Sequence, residues 1–385
     1  MARIRACFQR PKWYHNRFSG GKGSKMAKNK NELKNLRSSI DKIDEKLVTL
    51  LNERAKKVIR VKAIKDRGEM HFYAPHREME VYRRVARLNR GPFPTETLNS
   101  IFCEIMSGAL ALEAKLKIAY FGQQGTNTHI AALQKFGSSS NYIAGPTLKD
   151  VFLEVERGRA QYGVVPIENS TEGMINHTLD LFVESDLKIC SEILMPISHT
   201  LMSKAGILAK VVKVYSHPQA LAQCRLWLEA NLPGVKIVEA ASTAKAAQMA
   251  AGDKSAAAIA PDLAAKLYGL KPIAKRIEDL TDNYTRFLVI GRTSAERTGH
   301  DKTSIMVSIK DRVGALYALL TPFEKEGLSL TSIESRPSRR KAWDYYFFID
   351  FLGHVDDPKS QKALQQIEKA SLIVKVLGSY PRSEN

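Results

Sequence analysis

The sequence predicts a multidomain chain of three successive fold classes: an all-α segment, an α/β domain and an α+β module. Three observations carry this. Apolar residues recur at helical spacing up to about residue 115. From 116 to about 296, short apolar runs alternate with helical stretches. After 301 the order strand, helix, strand, strand, helix, strand is ferredoxin-like. A length of 385 residues, 44% hydrophobic and 26% charged, suits two or three cores.

Residues 1–29 read as a basic disordered tail. Arg3, Arg5, Arg10, Lys12, Arg17, Lys22 and Lys25 stand there without an Asp or Glu before residue 26, part of a net charge of +19. With no apolar core, the tail is not a secretory signal. An organelle leader, a nucleic-acid tail and an upstream start before Met26 stay open. The charge spread over the rest of the chain suits small dianionic ligands, because a positive field concentrates anions. It would also suit weak nucleic-acid binding, but no zinc finger, RNP run or aromatic-and-basic interleaving accompanies it. No uncharged apolar run approaches the ~20 residues of a membrane span. The four cysteines are scattered without metal-ligand spacing, so no metal site and a reducing, cytoplasmic compartment are expected; no cofactor is expected either.

In residues 30–115, Leu36, Ile40, Ile43, Leu47 and Leu50 form one helical stripe. The helix runs to about 66, where Arg67-Gly68 stops it, and is near 50 Å long at ~1.5 Å per residue. Its stripe continues with Arg54, Val58, Val61 and Lys65. A second helix starts near Pro75 with Arg77, Glu78, Tyr82 and Val85. A third spans 95–115, where Phe102, Met106 and Ala109 lead to Glu113. Charges on an apolar face either snorkel or pair in solvent, or they line an anion site. As a set, Leu36-Arg37, Glu53-Arg54, Lys65 and His76-Arg77-Glu78 resemble the all-helical chorismate mutases.

That resemblance implies an intertwined helical dimer that rearranges chorismate to prephenate. Arg37 would reach a substrate carboxylate in the partner subunit's site, Arg54 would hold the other carboxylate, and Lys65 would bond the ether oxygen. Arg77 and Glu78 would complete the pocket. The rearrangement needs no proton transfer, only a folded dianion and stabilised charge on the ether oxygen, which cations on rigid helices supply. Ala74 stands where some members have a carboxylate, and Glu113 where others have glutamine. Glu113 must be protonated to donate, so mutase activity is expected to rise toward acid pH and Glu113→Gln to flatten the profile.

In residues 116–296 the runs 118–121, 163–167, 211–215, 237–238, 256–260 and 287–290 read as strands. Stretches 148–158, 219–231 and 243–251 read as helices. Glu168-Asn169-Ser170 follows one strand, and Asp282-Asn283-Tyr284-Thr285-Arg286-Phe287 precedes another. Polar groups converging at strand ends are how an α/β domain builds a site. Tyr120-Phe121-Gly122-Gln123-Gln124-Gly125-Thr126 follows the first strand. Ser216-His217-Pro218-Gln219 opens a helix and Ser242-Thr243 caps the next. Such caps also bind anions where the helix N-terminus faces a cleft.

These motifs, Thr285-Arg286-Phe287 above all, resemble prephenate dehydratase. The resemblance implies two lobes with the site between them and loss of carbon dioxide and hydroxide from prephenate. Thr285 would donate to the departing hydroxyl. Arg286 would anchor the pyruvyl carboxylate with its guanidinium fork, and the carboxylate that is lost would face a less polar wall. Glu168 would be a direct acid or an orienter of Thr285. Asn169, Ser170, Ser216, His217, Gln223, Ser242, Thr243 and Phe287 would complete the site.

In residues 301–380, 304–309, 328–333, 345–351 and 372–377 read as strands, and 314–326 and 360–369 as helices, the first bent by Pro322. Gly314-Ala315-Leu316-Tyr317 and Glu334-Ser335-Arg336-Pro337 resemble the ACT domain attached to dehydratases. This implies phenylalanine as effector, held by Gly314, Ala315, Leu316, Glu334, Ser335, Arg336 and Pro337, and a homodimer or tetramer. The leading reading is a bifunctional, feedback-inhibited enzyme of phenylalanine biosynthesis. Its rivals are a prephenate or arogenate dehydratase whose helices only dimerise, and a basic nucleic-acid-binding protein with an amino-acid-sensing domain.

Overall fold

A computed structural model describes residues 21–65, 74–113, 115–310, 312–337 and 345–383, without the side chains of 21–28, 62, 65 and 113. Three helices come first: α1 (Gly21–Lys65), α2 (Pro75–Leu88) and α3 (Thr95–Glu113). Residues 21–29, assigned above to the basic tail, are the first turns of α1. After Gly23 no Gly or Pro interrupts them, and Lys, Ala and Met favour a helix. Residues 1–20 lie outside the described residues. The chain divides into two units, α1 through Arg60 and Val61–Asn385. Within the first unit, Leu36, Ile40, Ile43, Leu47 and Leu50 are all exposed along one face. Within the second, α2 packs on α3, and α3 on a following helix, α4 (Asn127–Phe136).

Two lobes follow. The first begins with β1 (Lys117–Phe121), β2 (Asn141–Gly145), β3 (Tyr162–Asn169), β4 (Gly173–Met174) and β5 (Lys188–Pro196), with α4, α5 (Leu148–Glu156) and α6 (Asn176–Glu184) between them. The chain then builds the second lobe from β6 (Thr200–Ser203), β7 (Lys213–Ser216), β8 (Lys236–Glu239), β9 (Ala256–Ala260) and β10 (Lys271–Lys275). Its α-helices are α7 (Pro218–Gln223), α8 (Arg225–Asn231), α9 (Thr243–Ala251) and α10 (Asp262–Tyr268). Where one helix was expected over 219–231, Cys224 separates α7 from α8. The chain returns as β11 (Tyr284–Gly291), which inserts between β3 and β5 to give the order β2-β1-β3-β11-β5. The second sheet has the order β10-β6-β9-β7-β8. Its central strand β9 is five buried residues, four of them alanine, and Ala244, Ala246, Ala247 and Ala250 of α9 are fully buried as well. Small side chains let helix and sheet approach closely.

The last domain comprises β12 (Asp301–Ser308), α11 (Ala315–Glu326), β13 (Leu330–Pro337), β14 (Tyr345–Leu352), α12 (Pro358–Ala370) and β15 (Ile373–Pro381). The sheet order β13-β14-β12-β15 is ferredoxin-like, as expected. Alternation along the strands gives this sheet two apolar faces. Ile305, Val307, Ile349 and Phe351 pack under the helices with Leu319, Phe323 and Ile367. Met306, Tyr346, Phe348, Leu377 and Tyr380 join the core of the first lobe instead. The C-terminal sheet is therefore built into the first lobe rather than tethered to it.

Candidate active site

A cleft of about 680 Å³ opens between the two lobes. The first lobe contributes Phe121, Thr126, Asn127, Pro166, Asn169, Ile175, Ile197, Thr285 and Phe287, and the second His199, His217, Gln223, Ser242, Thr243 and Lys245. Hydrogen bonds cross the mouth: the Tyr268 hydroxyl donates to the Gln124 carbonyl at 3.1 Å, and Gln223 Nε2 to Thr171 Oγ1 and Glu172 Oε1, each at 3.4 Å.

Thr285 and Asn169 do not flank their strands, as expected, but lie within them and face each other across the ladder of β11 and β3. Both are buried. Asn169 is fixed at both ends. Its Oδ1 accepts from the Thr171 backbone N–H at 3.1 Å, so the amino group must face the other way. Asn169 Nδ2 donates to Thr285 Oγ1 at 2.8 Å and to Asn283 Oδ1 at 2.9 Å. The Thr285 oxygen thus accepts from Asn169, which leaves its own proton for a group in the cleft. Ser170 does not line the cleft; its Oγ accepts from the Tyr284 N–H at 2.9 Å and clamps the two strand ends.

The next residue goes the other way. Successive strand residues face opposite sides of a sheet, so with Thr285 and Phe287 in the cleft, Arg286 leaves it. Arg286 Nε bonds Glu192 Oε2 at 2.8 Å, Nη1 bonds Asp350 Oδ2 at 2.7 Å, and Nη2 donates to the Tyr380 hydroxyl at 2.9 Å. Glu168, its ladder partner, shares that side, with Oε2 at 3.9 Å from Nη1. Burial opposes ionisation of Glu192, yet Arg286 and Lys302 hold its carboxyl below the usual carboxylate range. The expected roles of Arg286 as substrate anchor and Glu168 as acid are therefore corrected: neither lines the cleft. Ser216 is also corrected. It is fully buried and donates to the Ile259 carbonyl at 2.7 Å, joining β7 to β9.

Ser242 caps its helix as expected, and His217, rather than Ser216, caps the other. His217 Nδ1 accepts from the Gln219 N–H at 3.3 Å, Ser242 Oγ from the Lys245 N–H at 3.0 Å, and both line the cleft. Thr243 and Gln223 line it too. The sequence reading missed His199 and Lys245. His199 Nε2 lies 2.8 Å from Gln223 Oε1, and because Gln223 Nε2 donates elsewhere, the imidazole carries its proton on Nε2. Burial holds the His199 pKa below the ordinary histidine value. Lys245, in the first turn of α9, is the one Lys or Arg of the described cleft lining. The helical spacing that revealed α9 was the available signal for it, since an N-cap fixes where its first turn points.

For the helical segment, Arg37 and Arg54 lie on α1 and Arg77 and Glu78 on α2, while the Lys65 and Glu113 side chains lie outside the described residues. Glu78 is buried; Lys135 Nζ of α4 sits 2.9 Å from its Oε2, and Tyr82 donates to its Oε1 at 3.0 Å. Arg77 is exposed and pairs with Glu80. In the last domain, Gly314, Ala315 and Leu316 line a cleft of about 260 Å³ with Arg312, Tyr345 and Phe347. Glu334, Ser335, Arg336 and Pro337 lie on β13 and are absent from that lining within one chain. Arg336 Nη2 instead grips Asp180 of α6, at 3.0 and 3.2 Å from its two oxygens.

Three family models match the sequence: chorismate mutase type II over residues 36–114, prephenate dehydratase over 118–295 and the ACT domain over 303–369. A bifunctional chorismate mutase/prephenate dehydratase of Aquifex aeolicus is 50% identical over 356 residues, covering 91% of this chain and 98% of that one. Its counterpart in Pseudomonas aeruginosa is 46% identical with the same coverage. Among solved structures, a prephenate dehydratase of Arthrobacter aurescens in complex with L-Phe superposes with a TM-score of 0.65 at 36% identity, covering 69% of this chain and 90% of that one.

Proposed function

Because the chain belongs to the bifunctional chorismate mutase/prephenate dehydratase family, we propose that it rearranges chorismate to prephenate in residues 30–115. Residues 116–296 then convert prephenate to phenylpyruvate, and residues 301–380 bind phenylalanine as feedback inhibitor. The observation that carries the dehydratase half is the hydroxyl of Thr285, held as an acceptor by Asn169 and so aimed as a donor into the cleft.

The reaction breaks two bonds. The bond to the ring carboxylate gives its electron pair to the ring as carbon dioxide leaves, and the ring expels hydroxide at the opposite carbon. Aromatisation drives both, so the protein positions the dianion and stabilises the departing oxygen. Thr285 donates to that oxygen. Lys245 and the first-turn amides of α9 hold the pyruvyl carboxylate, the role that Arg286 cannot fill from the other side of the sheet. Pro166, Ile175, Ile197 and Phe287 form an apolar wall where the ring carboxylate loses solvation, which favours its departure as a neutral gas. His217, Gln223, Ser242 and Thr243 complete the polar rim.

For the mutase half, Arg37, Arg54, Lys65, Arg77, Glu78 and Glu113 keep the roles that the family pattern implies. The exposed stripe of α1 supports pairing with a second copy, as a dimer or within a tetramer. Buried free thiols at Cys103, Cys190 and Cys224 support a reducing, cytoplasmic setting. The test is phenylpyruvate formation from chorismate and, separately, from prephenate, with and without phenylalanine. Product from both that falls when phenylalanine is added supports the whole reading. Product from prephenate alone removes the mutase half and leaves α1 as a pairing arm.

A further inference from the structure

Thr285 and Arg286 are neighbours on one strand, yet they serve different parts of the molecule. The Thr285 hydroxyl faces the cleft. The Arg286 side chain is 11% exposed and spends its three nitrogens on a cluster that belongs largely to the C-terminal sheet. Asp350 comes from β14 and Tyr380 from β15. Ser304 of β12 bonds the Tyr380 hydroxyl at 2.7 Å. Glu192 of β5 closes the ring, held also by Lys302 Nζ at 2.8 Å. Glu192 and Asp350 bond Arg286 directly and Glu168 Oε2 lies 3.9 Å from it, so the charge of Arg286 is satisfied without any substrate.

The strand that carries Asp350 also reaches the C-terminal cleft, which Tyr345 and Phe347 line. Phe347 and Asp350 are three residues apart, about 10 Å along an extended strand. A displacement of β14 at that cleft is thus carried by rigid backbone to Asp350 and by a charged bond to Arg286. One peptide further on, it reaches Thr285. We propose that Arg286 is a positioning residue through which the C-terminal domain sets the Thr285 hydroxyl, so that effector binding is felt at the catalytic strand.

The proposal rests on the functional reading above. Coupling between two sites is reciprocal, so its loss is measurable from either end. The variants are Asp350→Asn and Tyr380→Phe, each removing one grip on Arg286. Lys302→Met is the control, because it loosens the same cluster through Glu192 and leaves Asp350 and Tyr380 in place. For each, kcat and KM for prephenate are measured with and without phenylalanine, and phenylalanine binding is measured by calorimetry.

The expected result is that both Arg286-facing variants bind phenylalanine within about twofold of the parent, while inhibition by saturating phenylalanine weakens at least fivefold and kcat shifts more than KM. Lys302→Met keeps the parent response. Tyr380→Phe removes a single oxygen and decides the matter should Asp350→Asn fail to fold. Parent-like inhibition and kcat in Tyr380→Phe would overturn the proposal. So would equal loss in Lys302→Met, which would make the cluster a structural rivet. A parent protein that does not turn over prephenate would instead overturn the functional reading, and this proposal with it.

Discussion

At the scale of single residues, the dehydratase site depends on which way one proton points. Asn169 presents an amino group to Thr285 because its carbonyl is occupied by Thr171. In Asn169→Asp the shape is kept but the donor becomes an acceptor, and the Thr285 hydroxyl turns to it. Dehydratase kcat should fall on the order of 10²-fold with KM little changed, the scale of a misdirected acid contact. A kcat within threefold of the parent would remove Thr285 as donor. His199 makes a second prediction. Burial depresses its pKa, as it does for His129. The unfolded chain then binds protons before the folded one, so stability is fully present above about pH 6.5 and declines below it. The thermal midpoint should drop on acidification through that window, and His199→Gln should make the drop shallower; an unchanged slope would show that the ring does not resist protonation. Thr285, Asn169, His217, Ser242, Thr243 and Phe287, which line the cleft, stood in the sequence near strand ends and caps, while Gln223 came only with the family resemblance. Arg286 and Glu168 were misread because neighbours in a motif were taken to converge, whereas inside a strand neighbours diverge. His199 is a lone histidine between two strands, and no spacing marks it.

At the scale of elements, the strands that stayed hidden in the sequence share a cause. β5 interrupts its apolar residues with Lys188, Ser191 and Glu192; Glu192 is buried because Arg286 and Lys302 lie opposite, and half-buried Lys188 donates to the Val376 carbonyl at 2.7 Å. Read by hydropathy alone, it looks like a surface loop. β2, β6 and β10 are four or five residues long, and β2 and β10 are edge strands, with too little periodicity to register. The helices α1 to α3, α5, α9, α11 and α12 and the buried strands β3, β9 and β11 were legible because their apolar pattern answers to one dominant neighbour, whereas the short helices α4, α6 and α10 were not read. Where β15 crosses β5 the fit is closer than a side chain permits. A Cβ on Gly378 would stand 2.3 Å from the Ile189 carbonyl oxygen and 2.8 Å from its nitrogen, both backbone atoms that cannot turn aside. Gly378→Ala should therefore pry the C-terminal sheet from the first lobe and lower stability by roughly 1–3 kcal/mol, the range for overpacking. Gly252→Ala serves as control, since its Cβ would meet nothing nearer than 3.6 Å. Thermal melts and limited proteolysis report the difference; equal midpoints would mean that the contact yields.

At the scale of the whole molecule, the two catalytic halves make different demands on assembly. The residues that line the dehydratase cleft, from Phe121 to Phe287, all lie outside α1. The α1 stripe is different: Leu36, Ile40, Ile43, Leu47 and Leu50 each expose 51–60% of their surface within a single chain. A row of large apolar residues on a long helix is stable in water only when it is covered. If a second copy covers it, and Arg37 acts in the partner's site as the family pattern implies, then mutase activity requires pairing through α1, a contact that the dehydratase cleft does not use. Leu47→Glu puts a charge in the middle of the stripe, where burial against a second apolar face is strongly unfavourable. Its chorismate mutase turnover should fall at least tenfold and recover in part as protein concentration is raised, because mass action opposes dissociation. Turnover of added prephenate should stay near the parent value. Sedimentation at the assay concentrations links the two readouts. Parallel loss of both activities would mean that α1 supports the dehydratase fold itself, and intact mutase activity in a dissociated chain would show that one copy of the helices suffices.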